Sequence, residues 1–430
     1  MGTAVVVFTR DLRLHDNPAL AAAASADRVV PLYILDPKLA DLSPNRTRFL
    51  HQSLADLREN LRGIGGDLVV RTGDPIAETI AVARETGAET ITMAADVSTY
   101  AVRRESRLKE ESERHRINLE LHPGLTVVEP GDLRPGSGGE CYKVFTPYYR
   151  AWSARQWRTE APRPKRITLP SGLAVGRLPA APDGPGEGGE SAAQRRLSGW
   201  LRQGISGYED AHDDLAADDT SRLSPYLRWG CLSPLTLARA GREHDAFVRQ
   251  LCWRDFYYQV ARVHPKLSTE ALRPAADKDW RHDDDALKHW QDGLTGVPVV
   301  DAGMRQLREE GWMHNRARLI TAAFLTKHLG IDWRLGVSWF FRHLLDGDVP
   351  NNSGNWQWTA GTGNDTRPYS RLNPIRQALR FDPDGVYVRR YVPELKSIDG
   401  PAVHQPWRLS GLDYPKPLES QRDEAVWLRD

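Results

Sequence analysis

Five short apolar runs alternate with amphipathic segments over the first 130 residues, and this alternation limits the fold more than any other feature. The apolar runs have the length and composition of strands, whereas the intervening segments repeat apolar residues at helical spacing. Such strand–helix alternation predicts an α/β domain with a doubly wound, Rossmann-like parallel sheet. The runs are AVVVF, RVVPLYIL, DLVVR, ETITMA and INLELH, and the clearest helical segments are RTRFLHQSLADLRENLRGIG and DPIAETIAVARETGA.

The strand pattern ends before the second half of the chain. From about residue 196 onward, helical segments dominate, which predicts an all-α domain. Glycine and proline crowd the stretch before it, as is typical of a connector, and 161–193 is expected to lie on the surface. We therefore predict an α/β domain over 1–130, an interdomain linker over 131–195 and a helical domain over 196–430.

Composition excludes some classes of protein. Hydrophobic residues make up 40% and charged residues 27% of the 430, which is ordinary for two globular domains. The net charge of +1 creates no global field, so a nucleic-acid site must be a local patch. Neither a signal peptide nor an apolar run of membrane-spanning length is evident, so we expect a cytoplasmic protein. The cysteines Cys141, Cys231 and Cys252 form no CxxC pair, which fits a reducing compartment and argues against a cysteine zinc site.

The segment from Trp312 to Trp358 combines apolar helical spacing with an unusual density of polar side chains. We expect a buried helix that Gly330 terminates, followed by a second helix from about Leu335 to Leu345. Polar groups among buried-type residues need partners, and the simplest partner for this set is a polar planar ligand. The polar residues concerned are Asn315, Arg316, Arg318, Asp346, Asp348 and Asn352.

Several long motifs, in order along the chain, resemble the photolyase/cryptochrome superfamily. They are TRDLRLHDNPAL, TSRLSPYLRWG, WRDFY, GVPVVDAGMRQL, MHNRARLITAAFL, DGDVPNNSGNWQW and RLNPIRQALRFDPDGVYVRRYVPEL. The resemblance covers nearly the whole chain and is greatest to the class I cyclobutane pyrimidine dimer photolyases of the DNA-repair branch. It implies an N-terminal antenna domain, a C-terminal FAD-binding domain and light-driven repair: excited reduced FAD passes an electron to a flipped-out dimer, which splits.

The resemblance also implies which residues hold FAD. Hydroxyl and backbone N–H groups before a helix suit a phosphate, and Asn352 corresponds to the residue beside flavin N5, where an amide can accept a hydrogen bond. Asp348 can accept from the flavin ring, and Arg318 can pair with Asp346, which would spare both an unpaired burial. The implied cofactor residues are Tyr208, Thr220, Ser221, Arg222, Leu223, Ser224, Arg254, Asn315, Arg318, Asp346, Asp348 and Asn352.

Trp280, Trp333 and Trp356 match the electron-transfer tryptophans of the family. Spacing alone does not bring them together, so this role rests on the resemblance. Trp356 and Trp358 would face different ways on one helix, which allows one to conduct electrons while the other lines the substrate cavity.

The substrate side of the resemblance contains three departures. Trp253, Trp358, Asn315 and Arg316 match residues that grip the flipped-out dimer. Gln250 stands where repair enzymes carry a carboxylate, Leu319 replaces a methionine, and His212 replaces an arginine. These changes leave two alternatives open: a cryptochrome-like photoreceptor and, less favoured, a (6-4) photoproduct enzyme. The end of the chain at Asp430, without a long tail, favours repair.

The remaining expectations concern other partners. Arg103 and Arg104 follow Tyr100 where folate-using relatives carry Asn-Glu, so a deazaflavin is favoured over methenyltetrahydrofolate as a second antenna chromophore. UV-damaged DNA is the expected macromolecular partner, the protein is expected to be a monomer, and Arg367, Arg371, Arg376 and Arg380 are candidate phosphate contacts.

Overall fold

The chain forms two compact units, here called the N-terminal and C-terminal units. A computed structural model describes residues 2–39, 43–136, 138–181, 184, 186–217, 219–277, 279–364 and 372–418. The N-terminal unit comprises 1–206 and 221–266, and the C-terminal unit comprises 207–220 and 267–430. The predicted bounds at 130 and 196 do not coincide with these units, because the segment 221–266 packs with the N-terminal part of the chain.

All five predicted strands are present, and they form one parallel sheet. The order is β3-β2-β1-β4-β5, so the chain winds outward in both directions from β1. β1 is buried along its whole length, as expected for a central strand covered on both faces. The strands are β1 (Thr3–Val7), β2 (Arg28–Leu35), β3 (Val69–Thr72), β4 (Thr90–Ala94) and β5 (Asn118–His122).

The helices account for most of the remaining regular structure. Beyond residue 122, the described residues contribute only an isolated bridge, Arg281 with Ile331, to β structure. In chain order they are α1 (Pro18–Ala23), α2 (Pro44–Arg62), α3 (Pro75–Glu85), α4 (Thr99–Arg114), α5 (Phe145–Ala154), α6 (Glu190–Gln203), α7 (Tyr208–Ala211), α8 (Ser224–Trp229), α9 (Pro234–Ala240), α10 (Asp245–Val263), α11 (Asp284–Asp292), α12 (Pro298–Glu310), α13 (Asn315–Ala323), α14 (Trp333–His343), α15 (Val349–Ala360), α16 (Pro374–Phe381) and α17 (Val386–Tyr391).

Local sequence explains where the helices of the sheet begin. Ser43, Asp74 and Ser98 cap α2, α3 and α4, and each side chain accepts a hydrogen bond from a backbone N–H of the first turn. Pro44 and Pro75 occupy the first helical positions, where a missing N–H costs nothing.

The stretch predicted as a surface linker is wrong in part. Thr168 accepts a hydrogen bond from the N–H of Val29, and Val175 accepts one from Val70. Ile167 is buried, while Leu169, Leu173 and Val175 pack against the sheet core. The segment around 167–176 is therefore attached to the α/β layer, because its few apolar side chains find uncovered apolar surface on the sheet.

The C-terminal unit has a separate helical core, built from α11 to α17. Trp290, Trp333, Phe340 and Trp356 lie at its centre. The expected end of the first helix at Gly330 is confirmed, with a positive φ of 72° at that glycine. Before it, α13 passes directly into a π-helical turn over Phe324–His328, which apolar spacing alone did not predict.

The described part of the chain includes no helix long and apolar enough to cross a membrane.

Candidate active site

Arg318 and Asp346 form an ion pair in the C-terminal unit, and the predicted pairing is confirmed. The guanidinium binds both carboxylate oxygens, at 3.2 and 2.8 Å, and its Nε donates to the Met313 carbonyl at 2.8 Å. The Asp346 side chain is almost fully buried. The paired geometry gives the buried Asp346 carboxylate a cationic partner, while the Arg318 side chain remains partly exposed.

The start of α15 presents two further predicted residues. Asp348 is buried at the N-terminal boundary of the helix and accepts a hydrogen bond from Asn351 Nδ2 at 2.5 Å. One turn into the helix, Asn352 donates from Nδ2 to the Val337 carbonyl at 3.0 Å. Because the amide nitrogen of Asn352 donates to this carbonyl of α14, the amide oxygen Oδ1 is the atom that can accept a hydrogen bond from a ligand.

Tyr208 and Thr220 lie near the two ends of the segment 207–220, which belongs to the same unit. The ring of Tyr208 lies 5.0 Å from that of His212, and burial, followed by the nearby Asp213 carboxylate, raises the pKa of Tyr208 to about 12. The Thr220 hydroxyl is buried and has no hydrogen-bond partner among the described residues. A buried hydroxyl without a partner is costly unless a ligand supplies one.

Arg316 and Asn315 differ from the sequence expectation. Asn315 is exposed at the start of α13, so its inclusion among buried polar residues was wrong. Arg316 is half-buried and binds Asp213 through Nε at 3.2 Å and through an Nη at 2.5 Å. Its guanidinium also lies 4.3 Å from the centre of the Phe381 ring.

The N-terminal unit holds the remaining predicted cofactor residues. Ser221, Arg222 and Leu223 lead into α8, which begins at Ser224, and Arg222 has a left-handed φ of 50°. Arg254 lies on α10, donates to the Leu125 carbonyl at 2.5 Å and to the Tyr258 hydroxyl at 3.1 Å, and is mostly buried. These contacts hold its guanidinium in one orientation.

Trp356 belongs to the apolar centre of the C-terminal unit. It meets Phe340 edge to face at 4.9 Å and Trp290 at 6.1 Å. Its ring lies directly against Gly336 of α14, where an added Cβ would be only 2.1 Å from the ring. Glycine is therefore required at position 336 for α14 to approach this tryptophan. Trp358, two residues on, is more exposed than Trp356, as the helical rotation predicted.

Trp333 and Trp280 share an aspartate and an arginine that sequence reasoning missed. The indole N–H of Trp280 donates to Asp277 at 2.9 Å. The other oxygen of Asp277 lies 2.5 Å from Arg334, whose guanidinium lies 4.6 Å from the centre of the Trp333 ring. Only the neighbouring sequence positions hinted at these contacts, since Asp277 is three residues before Trp280 and Arg334 directly follows Trp333.

Trp253 belongs to an aromatic stack in the N-terminal unit. Its ring is parallel to Phe145 at a centroid distance of 3.6 Å, so one face is covered. Gln250 is exposed three residues earlier on the same helix. In the C-terminal unit, Leu319 is half-buried, whereas Arg367 and Arg371 lie outside the described residues.

Comparison with known proteins assigns the family. Residues 4–165 match the family model DNA photolyase, and residues 247–425 match the FAD binding domain of DNA photolyase. A deoxyribodipyrimidine photo-lyase of Streptomyces griseus is 47% identical, and the match covers 97% of this chain and 96% of that protein.

Two solved structures extend the likeness to three dimensions. A class III photolyase from Agrobacterium tumefaciens superposes with a TM-score of 0.92 at 34% identity, covering 98% of this chain and 95% of the other. A cryptochrome from Synechocystis gives a TM-score of 0.90 at 31% identity, covering 98% and 97%. The identities, nearly complete coverage and two family-model matches lead to one conclusion: the chain belongs to the DNA photolyase family.

Proposed function

We propose that this protein is a light-driven deoxyribodipyrimidine photo-lyase that splits cyclobutane pyrimidine dimers in DNA. The observation that carries the proposal is the Asn352 amide, whose nitrogen is bound to the Val337 carbonyl and whose oxygen is available as an acceptor. An acceptor suits a flavin that carries a proton at N5, the reduced form that donates an electron. The 47% identity to a photo-lyase over nearly the full chain supports the same activity.

The residues fit a bound FAD. The buried Thr220 hydroxyl needs a hydrogen-bond partner, which a phosphate oxygen would supply. Asp348 would accept from the flavin ring, and Arg318 would hold Asp346 in place. When bound, FAD would supply the light absorption and the one-electron chemistry. The other proposed contacts are Tyr208, Ser221, Arg222, Leu223, Ser224, Arg254 and Asn315.

On the substrate side, Trp253 and Trp358 would stack on the flipped-out bases, a contact worth about 1–3 kcal/mol per base. Phe145 covers one face of Trp253, so a base could stack only on the opposite face. Asn315, being exposed, is free to contact a lesion, whereas Arg316 would have to share its guanidinium with Asp213. Leu319 nearly conserves the volume of the methionine it replaces.

For the electron chain we propose that the oxidising equivalent passes from Trp356 to Trp333 and then to Trp280. Electrons move in the opposite direction, towards the flavin. Trp333 is fully buried and Trp280 is partly exposed, which supports Trp280 as the outer member.

For a second chromophore we propose a deazaflavin rather than a folate, because Arg103 and Arg104 replace the Asn-Glu of folate-using relatives. Fluorescence of the extracted chromophores distinguishes the two. We further propose a monomeric, cytoplasmic protein, which size-exclusion chromatography and cell fractionation test.

The decisive test is repair of a defined DNA oligonucleotide by purified protein loaded with reduced FAD. We expect cyclobutane dimers to disappear under blue light, with no change in the dark. A matched oligonucleotide carrying a (6-4) photoproduct should remain unrepaired. Flavin binding and photoreduction without repair of either lesion would contradict the proposal and favour a cryptochrome-like photoreceptor.

The Gln250→Glu variant tests the departure in the substrate site. A carboxylate there should raise repair per absorbed photon, because its hydrogen bond matters most as charge develops on the dimer. Lesion affinity should change by less than about 1 kcal/mol, the usual worth of one hydrogen bond. Repair yield and lesion affinity are measured for both proteins, with Gln250→Asn as a control that keeps an amide. An unchanged yield in the glutamate variant would show that the native glutamine is already competent.

A further inference from the structure

The proposed outer end of the tryptophan chain contains two oppositely charged side chains in different positions relative to the two indoles. Asp277 accepts the Trp280 indole N–H at 2.9 Å. The guanidinium of Arg334 lies 4.6 Å from the centre of the Trp333 ring. The carboxylate is therefore bound to one indole and the cation lies over the other.

The charges are held in place by several contacts. Arg334 donates to the Thr269 carbonyl at 2.7 Å and binds Asp332 at 3.1 and 3.2 Å in addition to Asp277. Arg281, which directly follows Trp280, donates from its backbone N–H to the Gly330 carbonyl at 2.8 Å. This contact fixes the segment that carries Trp280 beside the segment leading into α14.

The Asp277 carboxyl group is ionised at neutral pH. Burial opposes its ionisation, but hydrogen bonds from Arg334 and then Trp280 outweigh that effect, so its pKa lies below the ordinary value. Trp333 also approaches the carboxylate and contributes least to this lowering, and its buried indole nitrogen makes no hydrogen bond of normal geometry among the described residues. Trp280 is the better partner of the two.

We propose that Asp277 and Arg334 are positioning residues that localise the oxidising equivalent on Trp280. A tryptophan that has lost an electron is a cation, which a hydrogen-bonded carboxylate stabilises and a guanidinium over the ring destabilises. One electron passes from Trp280 to oxidised Trp333, which becomes neutral, while Trp280 becomes the radical cation and keeps its indole proton. The initial oxidant is the photoexcited oxidised flavin, so this inference rests on the proposed function.

Other charges near this site do not reproduce the asymmetry. Asp332 caps the first turn of α14 and its carboxylate binds the Arg334 guanidinium, so it partly offsets that cation. Arg281 is paired with Asp283. The carboxylate that accepts the Trp280 indole N–H is that of Asp277.

The test compares Asp277→Asn with Asp279→Asn in the flavin-loaded protein. Asp279 is exposed and adjacent to Trp280, so its variant removes the same charge without removing the hydrogen bond to the indole. After a blue flash on the oxidised protein, the long-lived tryptophan radical signal of Asp277→Asn should fall by about tenfold, equivalent to about 1.4 kcal/mol of lost bias. Asp279→Asn should match wild type, and Asp277→Glu should restore most of the signal.

A second readout needs neither light nor turnover. The Trp280 indole N–H resonance, identified by its absence in Trp280→Phe, should shift upfield and exchange faster with solvent in Asp277→Asn. Its position should be unchanged in Asp279→Asn. These measurements show whether the hydrogen bond exists in solution and whether the variant removed it.

The outcomes separate the two levels of the proposal. If Trp280→Phe leaves photoreduction unchanged, the proposed electron chain fails. If Trp280→Phe abolishes the long-lived radical but Asp277→Asn, with its indole resonance shifted, keeps it, the charge bias is refuted and the chain stands. A parallel Arg334→Gln variant should increase the radical population remaining on Trp333, and equal populations in wild type and variant would also overturn the bias.

Discussion

Each unit of this protein contains a tryptophan whose indole N–H donates to an aspartate at 2.9 Å, yet the two aspartates behave in opposite ways. In the N-terminal unit, Trp152 donates to Asp255, and we call this the buried pair. In the C-terminal unit, Trp280 donates to Asp277, the outer pair. Burial raises the pKa of Asp255 to about 6, whereas Arg334 and Trp280 hold the pKa of Asp277 below its ordinary value.

The difference comes from the surroundings and not from the shared hydrogen bond. Asp255 is fully buried, and its nearest cation, Arg254, approaches only to 3.7 Å. Asp277 keeps about a quarter of its side chain exposed and meets Arg334 at 2.5 Å. The same indole hydrogen bond therefore accompanies a carboxyl with a raised pKa in one unit and a carboxyl with a lowered pKa in the other.

Removing the carboxylates should produce the largest contrast. Asp255 accepts from the N–H groups of Val127 and Val128 as well as from Trp152, so Asp255→Ala leaves three buried donors without an acceptor. We expect a loss of about 3–5 kcal/mol in the free energy of unfolding. Asp277→Ala, at a partly exposed pair, should cost only about 1 kcal/mol. Denaturant unfolding measures both, and equal losses would contradict the assignment of different roles.

The pH dependence should have opposite signs at the two sites. Because the folded pKa of Asp255 is above its unfolded value, its contribution to stability is present below pH 4 and is lost as pH rises towards 6. The change should be on the order of 1–3 kcal/mol. Because the pKa of Asp277 is lowered, its contribution is present at neutral pH and is lost as pH falls below its ordinary range.

Unfolding curves from pH 4 to 7 for wild type and Asp255→Asn check the first sign, since the difference between them should narrow as pH rises. Curves for Asp277→Asn and wild type at pH values below 4 check the second sign, because the difference in the free energy of unfolding between them should narrow as pH falls there. Parallel curves for either variant would mean that the corresponding carboxylate does not titrate in this way.

Salt should have the smallest effect and should separate the pairs by exposure. Raising ionic strength screens the partly exposed Asp277–Arg334 contact, so the cost of Asp277→Asn should shrink by a few tenths of a kcal/mol in 1 M salt. The cost of Asp255→Asn should not change, because solvent ions do not reach a fully buried carboxylate. A salt-sensitive Asp255 would indicate that solvent reaches the buried pair.

The sequence predicted the sheet well because its information is local. Five apolar runs between helical segments leave few alternatives to a parallel α/β layer, and each predicted strand agrees with the structure within two residues. The Arg318–Asp346 pair was also predictable, since two opposite charges in buried-type surroundings require each other.

Other features depend on contacts between distant segments. Nothing in residues 161–193 indicated that Ile167 would be buried against the sheet, because its composition is that of a linker. The exposure of Asn315 was missed because it lies at the first turn of α13, where helical spacing does not fix the outward direction. The Asp277 contact was also hidden, because neither Asp277 nor Trp280 lies in a helix or strand, so their spacing in the sequence does not predict a distance between their side chains.

The close approach of α14 to α15 has a consequence for experiments on the site. Gly336 lies against the Trp356 ring, and the adjacent Val337 carbonyl binds the Asn352 amide. Trp356 and Asn352 are four residues apart on α15 and so project from the same side of it. The same turn of α14 therefore contacts both Trp356, the proposed electron donor, and Asn352, the proposed flavin contact. Substitutions on that turn will displace both together, so only changes within α15 can report on either one separately.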